Sequence, residues 1–146
     1  MLFRKFLILF MLITPVSIAL AQEYYTIGPM LHFNIGDEKV RTSFGIEFAY
    51  WNYSNFPYSF DFGVDFQKYK TRIYTEMQTG AAATGVSAGP FMEFKKKSSV
   101  QVGLQSSVWL NYIIGVDLRG RWQKGQDYFA PGIYAKIPWE KGGSSG

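Results

Sequence analysis

Period two runs through this chain. In "YSFDFGVDFQ", Tyr58 to Gln67, the residues Tyr58, Phe60, Phe62, Val64 and Phe66 share one parity, and Ser59, Asp61, Gly63, Asp65 and Gln67 share the other. Side chains of an extended strand point alternately to opposite faces, so this segment reads as a strand with one bulky apolar face and one thin polar face. The same alternation predicts strands over roughly 25–35, 42–51, 57–67, 71–79, 85–94, 99–110, 113–122 and 127–138. Beyond residue 21 no segment keeps helical spacing. The connections "GDEKV", "NYSNFP", "QKYK", "TGAAATG", "KKKSS", "NY" and "QKGQ" are short and carry turn residues. Eight consecutive strands with short links make an all-β, antiparallel up-and-down meander, and at that count the natural closure is a barrel.

Alternation alone does not say which face is inside. Volume is the first guide. The bulky face carries Tyr25, Ile27, Leu31, Phe33, Phe44, Ile46, Phe48, Phe60, Phe62, Phe66, Met92 and Leu104, among others, which overfills an eight-stranded interior. Glycine is the second. Gly28, Gly45, Gly63, Gly89, Gly103, Gly115 and Gly132 all fall on the thin face. Glycine weakens a solvent-facing strand, whereas a narrow lumen needs positions without side chains. Charge is the third. The thin face carries Glu47, Asp61, Asp65, Glu76, Glu93 and Asp117 with Arg72, Arg119, Arg121 and Lys136, opposite signs that can pair inside a closed lumen. A polar interior, an apolar exterior and short strands together predict a transmembrane β-barrel whose lumen is plugged by ion pairs.

Composition adjusts this picture at the N-terminus. "MLFRKFLILFMLITPVSIALAQ" has a basic start at Arg4 and Lys5, an apolar run broken at Pro15, and Ala19-Leu20-Ala21 before Gln22. That pattern predicts a secretory signal peptide over 1–21, because the apolar run is too short to span a bilayer. The barrel domain is then 22–139, and "KGGSSG" lies in a low-complexity tail, 140–146, flexible or an appended linker. Removing the signal lowers the formal charge from +4 to +2, too little to argue for nucleic acid. There is no Cys, which excludes disulfides and thiol chemistry.

Two further patterns concern the rims. Lys39, Arg41, Lys68, Lys70, Lys95, Lys96, Lys97 and Lys124 gather near alternate connections and predict a basic rim. Tyr50, Trp51, Tyr53, Tyr58, Trp109, Tyr112 and Trp139, with Tyr24 and Tyr25, gather near the other and predict an aromatic girdle at the membrane interface. A faint repeat is also present. The order Gly-Pro, Gly…Trp, Gly-Val-Asp occurs at Gly28, Gly45 and Gly63 and again at Gly89, Gly103 and Gly115.

On these strands, glycines and aromatic residues the chain resembles the small eight-stranded outer-membrane barrels of Gram-negative bacteria, of the OmpA and OmpX type. The resemblance covers the chain from residue 22 to Trp139 and rests on pattern, not on a diagnostic motif. It implies insertion by the outer-membrane assembly machinery, with Ile133, Ala135, Ile137 and Trp139 fitting the alternating signal such barrels carry at the C-terminus, here followed by "EKGGSSG" rather than terminal. It also implies periplasmic termini, which places the basic rim outside, at the depth of lipopolysaccharide phosphates. The oligomeric state is left open.

Candidate chemistry is sparse. His32 is the single histidine and falls on the thin face, where Ser43, Glu47 and Ser87 are candidate partners for a lipid-modifying enzyme. Asp61 and Asp65 are a second candidate pair. Ion pairing explains the carboxylates more simply, so no catalytic residue, no cofactor and no metal site is expected. Three functions remain in play: a non-catalytic structural barrel of the outer membrane, an enzyme working through His32, and a soluble lipocalin-like barrel with its aromatic face inward.

Overall fold

The computed structural model describes residues 23–36, 40–52, 56–81, 83–111 and 114–140, with only the backbone of Tyr24, Ala81, Trp139 and Glu140. The signal peptide, Lys39, Tyr53, Tyr112 and residues 141–146 lie outside the described residues. Nine strands form one antiparallel sheet: β1 (Glu23–Asn34), β2 (Arg41–Asn52), β3 (Tyr58–Gln67), β4 (Lys70–Ala81), β5 (Thr84–Lys95), β6 (Gln101–Leu110), β7 (Gly115–Gln123), β8 (Gln126–Tyr134) and β9 (Ile137–Glu140). Neighbours in sequence pair as hairpins, and β1 pairs both β2 and the β8–β9 segment, which closes the sheet.

β8 and β9 are one stave of the barrel. Their pairing with β1 keeps one register, His32 opposite Gly132 and Tyr25 opposite Trp139, with the ladder interrupted between. The predicted single strand over 127–138 is divided because Pro29 sits at the interruption and has no N–H to donate, although its carbonyl still accepts from Ala135 at 3.1 Å. The same thing happens across the barrel. The β4–β5 ladder is interrupted around Thr75 and Glu76, opposite the second Gly-Pro pair, Gly89-Pro90. At both places a glycine admits a carbonyl: a Cβ on Gly28 or on Gly89 would stand 1.9 Å from the oxygen of Ala135 or of Thr75.

Following paired residues once around, Tyr25, Tyr50, Phe60, Met77, Ala88, Ser106, Gly120, Phe129, Ile35, returns to β1 ten residues beyond the start. A stagger of that size in eight staves requires strands tilted by about 40° from the axis. Strands β1 to β8, of 9 to 12 residues each, at that tilt match the span of a bilayer's hydrocarbon core.

Burial answers which face is inside. Along β3 every thin-face residue is buried, while Phe60, Phe62 and Phe66 are about half exposed, at 49, 53 and 52%. The exterior is a continuous apolar surface that includes Phe33, Phe44, Ile46, Phe48, Met77, Val86, Leu104, Val108 and Leu118. The aromatic row therefore points outward, and the lipocalin-like alternative, which needs it inward, does not fit this fold.

Candidate functional site: the ion-paired lumen

The lumen has two ends of different make. The described turns with Lys68, with Lys96 and Lys97, and with Lys124 lie at one, the basic end, and the described chain ends Glu23 and Glu140 at the other, the terminal end. Lys68, Lys96, Lys97, Lys124 and Arg41 are exposed there. Lys70 and Lys95 instead turn into the mouth, with Nζ atoms 3.8 and 3.4 Å from one oxygen of Glu93.

Beneath that mouth the charges interlock. Arg72, fully buried, donates from Nε to Glu93 at 2.8 Å, from Nη1 to Asp65 at 2.8 Å and from Nη2 to Gln67 at 2.7 Å. Arg121 donates to Gln105 at 3.0 Å, Asn34 at 2.9 Å and Asp65 at 3.2 Å. The Tyr128 ring lies against both guanidinium groups, 5.2 Å from Arg72 and 5.7 Å from Arg121, and its hydroxyl donates to Glu93 at 3.3 Å. Buried charges are tolerable only when paired, and each guanidinium of this half has direct partners on both sides, although Asp65 Oδ1 and Glu93 Oε1 accept no hydrogen bond among the described residues.

The terminal end is built differently. Arg119 stands among Glu47, Glu76 and Asp117 at 3.6, 3.7 and 3.8 Å, ion-pair distances longer than a hydrogen bond, with its guanidinium 4.8 Å from the Tyr74 ring. Tyr74 donates to Glu47 at 2.8 Å, and Ser87 donates to Glu76 at 2.8 Å. Asp61 accepts from Ser59 and Gln78 but makes no ion pair among the described residues. Lys136 closes this end: its Nζ lies 3.6 Å from Glu47 and sits within a three-ring cage, 5.7 Å from Trp51, 5.6 Å from Trp109 and 5.3 Å from Tyr134.

Trp51 and Trp109 correct the expected girdle. Both are inside, 2 and 6% exposed, and they meet edge to face across the lumen at 5.8 Å. The reason is parity: Trp51 follows inward Gly45 by six residues and Trp109 follows inward Gly103 by six, so each points the same way as its glycine. The outer face at this end carries Tyr25, Tyr50 and Tyr58, with Tyr25 stacked on Phe48 at 5.5 Å and Tyr58 edge-on to Phe60 at 5.7 Å. Of Trp139 only the backbone, paired with Tyr25, is described.

The thin-face glycines house the large lumen side chains. A Cβ at Gly63 would stand 2.1 Å from the Tyr74 ring, and one at Gly115 would stand 2.2 Å from that of Tyr134. In each case the aromatic residue is the cross-strand partner of its glycine, and its ring lies flat over the bare backbone.

His32 shares this feature, seated over Gly132 and only 1% exposed. Its Nε2 is 2.9 Å from both carboxylate oxygens of Asp117. Of the partners expected from sequence, Ser43 is the cross-strand neighbour but accepts from Asn34 at 3.0 Å, while Glu47 is engaged by Tyr74 and Ser87 by Glu76. Asp61 and Asp65, the other expected pair, are separated, one in each half of the lumen.

A closed eight-stranded antiparallel barrel with a charged, side-chain-filled interior and an apolar outside is a transmembrane β-barrel. No family model matches the chain, and no curated protein matches it. Solved structures do. A de novo designed transmembrane β-barrel aligns over 78% of this chain and 95% of its own, with TM-score 0.51 and 9% identity. The N-terminal β-barrel domain of OprF from Pseudomonas aeruginosa aligns over 78% of this chain and 97% of its own, with TM-score 0.51 and 8% identity. At such identity the likeness is one of fold, and it gives the chain the OmpA/OmpX-like architecture of small outer-membrane barrels.

Proposed function

We propose that this chain is a small, non-catalytic structural protein of the bacterial outer membrane, exported by a cleaved signal peptide and anchored by its barrel. The observation that carries this reading is the contrast between the half-exposed phenylalanines of the exterior and the ion pairs that fill the interior. A lumen filled across its width by Arg72, Arg121, Tyr128 and Arg119 offers no channel, which favours anchoring over transport. The engagement of His32 with Asp117, with no hydroxyl nucleophile bonded to it among the described residues, favours a structural histidine.

With the termini in the periplasm, as in the barrels the sequence resembles, the basic end faces outward. Exposed Lys68, Lys96, Lys97 and Lys124 are then suited to lipopolysaccharide phosphates, which they would meet as salt-sensitive point charges. Fractionation of expressing cells tests the reading. The processed chain should sediment with the outer membrane and migrate differently on a gel before and after boiling. A soluble product without that shift would overturn it. Replacing Lys96, Lys97 and Lys124 by Gln should leave the shift intact and weaken binding to lipopolysaccharide-containing vesicles. Unchanged binding would remove the lipopolysaccharide contact and leave the anchored barrel standing.

A further inference from the structure

We infer that the terminal end of the lumen binds a hard divalent cation between the carboxylates of Glu47, Asp61 and Glu76. These residues come from adjacent strands β2, β3 and β4, all three are buried, and one oxygen from each lies within 4.8 Å of the others. The grouping follows from the register, which sets Asp61 directly opposite Glu76 on the inward face, with Glu47 facing the same space from β2. All three line one lumen pocket, with Trp109, Asp117, Arg119, Tyr134 and Lys136 among its other walls, and its free volume of about 10 Å³ has room for one particle the size of a water molecule or a small ion.

Two observations beyond the cluster point to a ligand. The first is charge. Among the described residues that line this space, Glu47, Asp61, Glu76 and Asp117 meet two cations, Arg119 and Lys136, so with His32 neutral two negative charges lack a fixed counterpart there. A protonated His32 on Asp117 would still leave one. The second is the Tyr134 hydroxyl. Tyr134 is 4% exposed and lines the same pocket, and its oxygen has no hydrogen-bond partner among the described residues. An unpaired buried hydroxyl beside an unbalanced carboxylate group is costly to both, and a cation accepting oxygen ligands relieves both. Carboxylate and hydroxyl donors select calcium, magnesium or manganese over zinc or copper. The rival arrangement is a proton held on Asp61.

Trp109 lines the cavity too, so the site carries its own reporter. The refolded full chain in detergent is titrated with terbium, a calcium surrogate, and emission is read on tryptophan excitation, with calcium and magnesium as competitors. The expected result is saturable emission, displaced by calcium, that Asp61→Asn weakens about a hundredfold in affinity. Trp109→Phe should cut the emission while preserving calcium-dependent thermal stabilisation of the folded gel band, which separates loss of the reporter from loss of the site. Both variants are first checked for the heat-dependent mobility shift. No saturable emission from the folded wild-type chain would overturn the proposal in favour of the protonated Asp61. Emission unchanged in folded Asp61→Asn would overturn it by placing the ion on surface carboxylates.

Discussion

The two halves of the lumen use the same residue types to opposite effect. At the basic end Arg72 and Arg121 spend five of six direct hydrogen bonds on neighbours within 3.0 Å, and Asp65 and Glu93 are enclosed by four cations, Arg72, Arg121, Lys70 and Lys95. At the terminal end Arg119 holds three carboxylates at 3.6 to 3.8 Å, Asp61 has no ion pair among the described residues, and the second cation, Lys136, lies 3.6 Å from Glu47 within a cage of rings. In one half the arginines are held by direct hydrogen bonds, and in the other the arginine is held by field. The difference teaches that a lumen can be neutral on average while each end keeps a sign of its own.

The most severe way to break the hydrogen-bonded half is Arg72→Ala. It leaves Asp65 with Arg121 alone and Glu93 with two lysines at 3.4 and 3.8 Å, and stability should fall by about 3 kcal/mol, read as a lower urea midpoint for loss of the heat-modifiable band. A loss under about 1 kcal/mol would mean the pairs are exchangeable with water. Next is Gly115→Leu at the terminal end, where the new side chain competes with the Tyr134 ring for one place. A cost of about 1–3 kcal/mol is expected, with a changed near-ultraviolet dichroism signal from the displaced ring. The mildest is Lys136→Met, which keeps the volume within the cage and removes the charge. Its expected cost is about 1 kcal/mol in the presence of chelator. Added calcium should then stabilise this variant more than the wild type, since the carboxylates have lost a competitor. Equal stabilisation would indicate that Lys136 and the ion do not share the same field.

Much of this was legible in period two. Parity placed Glu47, Asp61, Asp65, Arg72, Glu76, Asp117, Arg119 and Arg121 on one face, and all eight are buried in the lumen. Parity also held the answer for Trp51 and Trp109, but the habit of tryptophan at membrane interfaces pointed outward and was the weaker argument here. What alternation cannot encode is register between staves. Which acid meets which arginine depends on the ten-residue stagger, so Tyr128 as a plate for two guanidinium groups, and Lys136 in a cage drawn from β2, β6 and β8, have no local signature. The convergence of Glu47, Asp61 and Glu76 is hidden for the same reason, since a carboxylate-only group spread over three strands shows no ligand spacing.

The two Gly-Pro pairs carry a structural consequence. The interrupted ladders, β1 against the β8–β9 stave and β4 against β5, lie four interfaces apart in a cylinder of eight, on opposite walls. The four staves on either side of these two seams are joined by uninterrupted ladders. The Gly-Pro order that repeats in the sequence therefore marks the two places, on opposite walls, where a missing N–H and a bare glycine thin the hydrogen bonding of the cylinder.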